Sequence, residues 1–325
     1  MLIKKYTENN LVTGMERLKF TQGELKCLRA IATMGNARAS EIAIRTQIAL
    51  PNVSRAITSL KNKGCLKTEK NGYSTVVSLS ETKHALLWRK LVLEFAHMPL
   101  DKILAGVSLE VLATVCYLTL RNRKEIAENA LVSQRIVAVV LERFKRFGII
   151  QKTTEYHVSP RFQTLSEFVM EFRHYLNQKI ATKFASDASL LWERNHEFIV
   201  ECKATLEKDG FTLTATSAFG RFGVSLFVPS SYFFYSPLAT TLRVEDVIIH
   251  ALLLPGRSIL PILLLWKKNE RRMSLQYIQQ QSEKYKTTAL LKDVLVYFET
   301  RGASRAEGFP PWREFLQRAE EYRLG

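Results

Sequence analysis

Between Ala39 and Leu79 the chain reads ASEIAIRTQIALPNVSRAITSLKNKGCLKTEKNGYSTVVSL, and no other stretch restricts the fold as tightly. Ile42, Ile44 and Ile48 fall in one short segment, and Val53, Ala56, Ile57 and Leu60 recur three and four apart in the next. That spacing predicts two helices, each with one buried face. Ala49 and Leu50 form a tight corner between them. Pro51 suits the first turn of the second helix, where its missing N–H would have no intrahelical partner anyway. Gly64 can take the left-handed conformation that ends a helix. Beyond it, Cys65 to Thr68 and Ser74 to Leu79 alternate like strands around the turn signal Asn71-Gly72. Helix, corner, helix and hairpin, in that order, make a helix-turn-helix with a β-wing.

The second helix offers groove-reading chemistry on the side away from its apolar stripe. Pro51, Asn52, Ser54, Arg55, Thr58, Ser59 and Lys61 lie on or beside that side. Arginine bonds guanine bidentately, asparagine reads adenine, and hydroxyls and lysines hold phosphates, with base contacts concentrated near the start of a recognition helix. Arg55 and Asn52 are therefore the first choices for base contacts. At the wing, Lys67, Lys70, Asn71 and Tyr73 are placed to follow the adjacent backbone or minor groove. The plain alternative is that all of these are solvated surface residues.

From Thr21 to about Phe95, roughly a quarter of the chain, the sequence resembles the MarR-type winged-helix regulators. TQGELKCLRAIATM matches the opening helix, SEIAIRTQI the first helix of the motif, LPNVSRAITSLKNKG the recognition helix, and YSTVVSLSETKHALL the wing return and the next helix. The resemblance implies double-stranded DNA as partner. Flanking helices commonly build a dimer in that family, so it also implies a homodimer, although the long dimerising helices are not all recognisable.

Charge agrees with a polyanionic partner. Of 325 residues, 47 are Lys or Arg and 31 are Asp or Glu, a net charge of +16. Residues 1–98 hold 16 basic and 7 acidic side chains, residues 99–185 hold 13 and 8, and the remainder holds 18 and 16. The basic excess thus belongs to the first half, though a membrane surface or an acidic protein would also be attracted by it. Cys27, Cys65, Cys116 and Cys202 lie far apart and outside metal-ligand spacing, which predicts reduced thiols in a cytoplasm. No signal segment is read in the opening MLIKKYTENN. The apolar run from Val247 to Trp266 is broken by His250, Pro255, Gly256 and Arg257, which favours a buried helix and a second buried segment over a membrane span.

A second unit of the same plan is predicted at Ser108 to Leu120, Arg123 to Ala130 and Ser133 to Phe147, followed by Gly148 and the short wing-like IIQKTTEYHVS. Its third helix is expected to turn Ile136, Val139, Val140 and Phe144 inward and Gln134, Arg135, Arg143, Lys145 and Arg146 outward. Gln134 and Arg135 are the DNA candidates there, weighed against a structural or dimer-forming role. Glu81 to His97 reads as a linking helix carrying Leu86, Leu87, Trp88, Leu91, Val92 and Phe95. Thr164 to Phe184 reads as another, carrying Phe168, Phe172, Tyr175, Leu176 and Ile180.

Residues 186–325 read as an α+β domain: a helix over Leu190 to Asp209, strands over Phe211 to Ala215 and Val224 to Val228, and helices over Val244 to Leu254, Ser274 to Tyr285 and Thr287 to Glu299. TATSAFGRFGV, SLFVPSSYFFYSP and VEDVIIHALLL resemble, over about 115 residues, the nucleotidyltransferase-like fold of AbiEi-type antitoxin regulators, which implies autoregulation. Active members carry a Gly-Ser turn and two metal-holding acids. Here Arg221 follows Gly220, and Ser225 to Ser230 hold no carboxylate, so the domain is read as non-catalytic and without a cofactor. Phe309-Pro310-Pro311-Trp312 precedes a short helix that docks Trp312 and Phe315.

One enzymatic rival remains. IVECKA at Ile199 to Ala204 has the form of the PD-(D/E)xK nucleases, with Glu201 and Lys203 beside a metal-bound water and Asp187 as a third member. A helical spacing of Phe198, Cys202 and Leu206 counts against it. The six histidines are scattered singly and support neither a metal site nor a triad. The expectation is a mainly α chain with tandem winged helix-turn-helix domains at 1–98 and 99–185 and a nucleotidyltransferase-like domain at 186–325. It would be a cytoplasmic, prokaryotic-type transcription regulator that is not an enzyme, with a basal transcription factor or RNA polymerase as a further partner. The rival of another class is a replication-origin or chromatin-organising protein.

Overall fold

The computed structural model describes residues 16–71, 74–208, 210–238 and 241–322, with the backbone alone described at Asn71 and Ser74. Gly72 and Tyr73, at the predicted wing tip, lie outside the described residues. The chain divides into two compact units, and the division falls between Lys179 and Ile180.

The first unit opens with helix α1 (Gln22–Met34). The Thr21 hydroxyl accepts the Glu24 N–H at 3.1 Å and the Glu24 carboxylate accepts the Thr21 N–H at 2.6 Å, a reciprocal cap that satisfies two end groups. Strand β1 (Ala37–Arg38), helix α2 (Ala39–Thr46) and helix α3 (Leu50–Asn62) follow, and then the hairpin β2 (Leu66–Asn71) and β3 (Ser74–Leu79). The hairpin is antiparallel, with Leu66 opposite Leu79, and β1 lies on the other side of β3 with Ala37 opposite Val77. The helix-corner-helix-wing order is therefore present. Within α2 only Ile42 is fully buried, whereas Ile44 is 80 % exposed. Two residues advance a helix by about 200°, so Ile42 and Ile44 cannot share one inward stripe.

Helices α4 (Lys83–Glu94) and α5 (Leu100–Ile103) lead to a second run: α6 (Ser108–Tyr117), α7 (Arg123–Ala130), α8 (Gln134–Arg146) and the short hairpin β4 (Ile150–Lys152) and β5 (Tyr156–Val158). This is the first motif's order again, and the correspondence extends to the backbone. Gln47 and Leu131 end α2 and α7 in the left-handed region at φ 57° and 54°. Gly64 and Gly148 follow α3 and α8 at φ 68° and 69°. Both pairs are 84 residues apart, and at that offset Ile42 matches Ile126, and Val53, Ala56, Ile57 and Leu60 match Val137, Val140, Leu141 and Phe144, all buried. Leu120 bridges Tyr156 much as β1 bridges β3. The buried stripe of α8 thus differs from the expected one. Ile136 and Val139 face outward, because the aliphatic run IVAVVL fits two helical phases and the fold takes the one that α3 also uses.

Helix α9 (Gln163–Phe184) runs antiparallel to α4, as Phe95 against Phe162, Trp88 against Phe168 and His84 against Phe172 show, with ring centroids 4.8, 5.4 and 5.0 Å apart. Leu86, expected in the stripe of α4, is 52 % exposed. One hydrophobic core runs from Leu18 to Leu176 and includes both motifs. It encloses an ion pair: the carboxylate of Glu110 on α6 meets the guanidinium of Arg173 on α9, both all but excluded from solvent, and also accepts the Leu18 N–H.

The second unit is built on a four-stranded antiparallel sheet of β6 (Ser189–Arg194), β7 (Glu197–Cys202), β8 (Phe211–Leu213) and β9 (Ser231–Tyr235), in the order β6-β7-β9-β8. Residues 190–209, expected as a helix, therefore begin with a hairpin. Phe198 and Cys202 are four apart but also share a strand face with Val200, and all three are buried together. Residues 224–228 form no strand. The strand signal in that stretch belongs to SYFFY at β9. Phe198, Val200, Phe233 and Tyr235 cover one sheet face, while Ile199 and Phe234 join a core with the helices. Those are the short α10 (Ala215–Ala218), then α11 (Val244–Leu253), α12 (Ile259–Asn269), α13 (Leu275–Lys284), α14 (Thr288–Glu299) and α15 (Trp312–Glu321). On α15, Phe315 is buried and both it and Trp312 contact the Tyr297 ring. The molecule is mainly helical with an α+β second unit. Among the described residues no helix is long and apolar enough to cross a membrane.

Candidate nucleic-acid interface

Helix α3 buries Val53, Ala56, Ile57 and Leu60, worth about 1.5–3 kcal/mol for each of the larger side chains. Its register is therefore fixed, and so is what it exposes: Pro51, Asn52, Ser54, Arg55, Thr58 and Lys61 all face solvent. Ser59 is half-buried and hydrogen-bonds the Glu24 carboxylate beneath the helix. Burial tends to raise the Glu24 pKa, and the hydrogen bonds from Lys63, Ser59 and the Thr21 N–H outweigh it, holding the carboxyl below its ordinary range. The Lys63 ammonium sits 2.7 Å from that carboxylate. Glu24 thus supports the exposed face of α3 from beneath, and Thr-x-x-Glu at Thr21 to Glu24 is its legible capping signal in the sequence.

The exposed groups differ in what they have free. Arg55 is exposed and has no ion-pair partner among the described residues. Asn52 and Arg55 line a groove of about 510 Å³ between α3 and the start of α1, together with Gln22, Lys26 and Ser59. Ser54 donates to the Leu50 carbonyl and Thr58 to the Ser54 carbonyl, each at 3.1 Å. Those hydroxyls present lone pairs outward, and a phosphate contact requires them to rotate. The Lys61 ammonium donates to the Thr68 hydroxyl at 2.8 Å, tying helix to wing. Ala49 precedes α3 without a side-chain cap, and the first turn carries no acid, so the positive end of the helix dipole faces solvent uncompensated.

Wing residues divide similarly. Lys67 lies 2.9 Å from Glu81 and 3.3 Å from Glu69, and hydrogen bonds to Glu81 and then Glu69 raise its pKa. Its charge is thereby partly offset, a feature that a reading of Lys67 alone misses because Glu81 is fourteen residues away. Lys70 is exposed. The side chains of Asn71 and Tyr73 lie outside what is described.

The C-terminal end of α3 is held by several groups at once. The Gly64 carbonyl accepts the hydroxyls of Ser80 and, at 2.8 Å, Thr82. The Lys63 carbonyl lies 3.1 Å from Nε2 of His84, which is buried between Phe172 and Tyr175. Burial pushes the His84 pKa down to about 4, so at neutral pH the ring is uncharged and donates to that carbonyl. The Tyr175 ring packs so closely on Gly64 that a Cβ there would lie 2.4 Å from Cζ.

On α8, Gln134, Arg135, Lys145 and Arg146 are exposed as expected, and Ile136 and Val139, expected inside, are exposed with Glu142. Arg143, expected outside, instead turns to the carbonyls of Lys102 and Ile103 and the hydroxyl of Ser108 at 3.2–3.4 Å. It fills the place that Ser59 fills beneath α3.

In the second unit, Glu201 lies on a strand and accepts the Ser230 hydroxyl, and Asp187 accepts the Lys203 backbone N–H at 2.9 Å. The helical objection to the nuclease pattern therefore does not hold, but the Asp187 carboxylate is engaged with backbone. Among the described residues no group of three His, Cys, Asp or Glu side chains is placed to hold a metal ion.

Residues 20–71 match the MarR family, and the match runs from the residue before the α1 cap to the end of β2. That family is one of DNA-binding winged-helix regulators, and the first motif is a winged helix of that type. No curated protein matches the chain.

Proposed function

We propose that this chain is a sequence-specific transcription regulator that binds double-stranded DNA at promoters. Helix α3 enters the major groove, Arg55 and Asn52 read base edges, and Pro51, Ser54, Thr58, Lys61 and the wing residues Lys67, Lys70, Asn71 and Tyr73 set its position along the backbone, while Ser59 braces the helix from beneath through Glu24. The observation that carries this reading is the exposed Asn52–Arg55 face on a helix whose register is fixed by four buried side chains and whose N-terminus holds no acid. The protein acts in the cytoplasm as a homodimer, with residues 1–98 reading DNA, 99–185 supporting them, and 186–325 serving as a non-catalytic, nucleotidyltransferase-like regulatory part that contacts the transcription apparatus.

The test is recovery and sequencing of genomic fragments bound at near-physiological salt, where nonspecific phosphate binding is suppressed. Enrichment of a few promoters sharing a short motif supports the proposal. Clustering at origins, or uniform recovery, replaces it with an origin-binding or architectural role. Divalent-metal-dependent cleavage lost on changing Glu201 or Lys203 would establish the nuclease instead. Lys67→Ala should weaken all sequences alike, and by less than a free lysine would, since Glu81 and Glu69 already share its charge.

A further inference from the structure

The face of α8 that corresponds to the reading face of α3 is apolar at its centre. At the 84-residue offset Asn52 is replaced by Ile136, Arg55 by Val139 and Thr58 by Glu142. Ile136 is 40 % exposed and Val139 56 % exposed, on a helix that otherwise buries its aliphatic side chains. Two features make this a poor groove reader. Aliphatic groups offer base edges no hydrogen bond, only contact with a thymine methyl. Glu142 also sets a carboxylate where α3 has a hydroxyl, against walls of phosphate.

We propose that α8 is a self-association surface, packed against α8 of a second copy of this chain about a two-fold axis at Val139. A two-fold contact must be complementary to itself, and this face is. Arg135 lies four residues before Val139 and Glu142 three residues after it, so both share its side of the helix. In an antiparallel crossing centred on Val139, Arg135 of each copy meets Glu142 of the other, and Ile136 and Val139 of both copies fill the middle. Glu142 is available for this: its contacts to Arg123 at 3.3 Å and Lys145 at 3.5 Å leave its side chain 59 % exposed. The proposal deepens the homodimer reading above and rests on the chain forming a dimer. Since it occupies α8 and not α3, each copy keeps its first motif free, and a dimer presents two reading helices. The apolar patch is small, so association is weak and concentration-dependent.

Sedimentation of the full chain without DNA, across a wide concentration series, tests this. The expected result is a monomer–dimer equilibrium that Val139→Arg abolishes. Arg135→Glu and Glu142→Arg each weaken it on the order of tenfold by setting like charges opposite one another, and the double variant Arg135→Glu/Glu142→Arg restores it. All three positions are exposed, and circular dichroism verifies that each variant is folded. A chain that stays monomeric, a dimer indifferent to Val139→Arg, or a double swap that fails to restore association overturns the proposal. So does a loss of random-sequence DNA affinity in Arg135→Glu without change in mass, which would make α8 a DNA contact. Arg55→Ala should leave the mass distribution untouched, so failure of the DNA reading and failure of this one are separable.

Discussion

Helices α3 and α8 follow left-handed residues at Gln47 and Leu131, end before Gly64 and Gly148, and bury four side chains each at matching places. They part at the positions the fold does not need. Where α3 shows Asn52, Arg55 and Thr58, α8 shows Ile136, Val139 and Glu142. Their surroundings part as well: Ser133 caps α8 and no side chain caps α3, while the His84 ring braces the end of α3. The scaffold constrains about one helical stripe and two turn residues, and surface chemistry is free to diverge on the remainder.

The comparison breaks most severely at the internal ion pair, which joins α6 of the second motif to α9 and has no fully buried equivalent among the described residues of the first. Arg173→Ala leaves the Glu110 carboxylate buried and unpaired, and should cost about 3–5 kcal/mol in denaturant unfolding. A loss under about 1 kcal/mol would mean that α6 and α9 are not held together through this pair.

Acid should distinguish the motifs next. His84 binds a proton near pH 6.5 when unfolded and near pH 4 when folded. The unfolded state thus holds more protons in that window, so stability is flat above pH 6.5 and falls as pH drops from 6.5 to 4, by about 3 kcal/mol. His84→Gln should remove that part of the slope. His250 in the second unit, whose pKa burial depresses to about 3, should add a slope of the same sign.

DNA binding sharpens the contrast at smaller cost. Arg55→Ala should lose about 1–3 kcal/mol of affinity for the preferred sequence and relax the preference at one base pair. Val139→Ala, at the matching place on α8, should leave the base preference unchanged in a titration that follows fluorescence anisotropy. Equal relaxation of the preference by both would erase the difference between the helices.

Capping gives the smallest effect and the most direct exchange. Ser133→Ala should destabilise by about 0.5–2 kcal/mol and Ala49→Ser should stabilise by a similar or smaller amount, read from thermal unfolding. The added hydroxyl on α3 would also occupy the helix end that the proposed function turns toward DNA, so Ala49→Ser is expected to weaken binding as it stabilises the fold.

The sequence carried the first motif almost whole, because Val53, Ala56, Ile57 and Leu60 are separated by polar residues and permit only one phase. It carried the second motif's order but not its face, since IVAVVL is aliphatic in two phases and only packing against α6 and α7 chooses between them. The hairpin at β6 and β7 is hidden in the sequence for a similar reason: Phe198 and Cys202 satisfy periods of two and four alike, and strand pairing with β9 decides. At the candidate site, the outward residues of α3 were legible from periodicity. Their availability was not, because the groups that engage Lys67, Lys61 and Ser59 lie on other elements, and only the fold brings Glu81, Thr68 and Glu24 to them.

The phenol of Tyr175 stands where a methyl on residue 64 would have to go. It therefore acts as a depth stop. The height at which α3 rides above α9 is set by the thickness of one aromatic ring against a bare α-carbon, and any side chain at residue 64 would lift the helix outward or tilt it. In the proposed complex, the depth of Arg55 in the groove is thus gauged from behind the helix, by a residue on its far side.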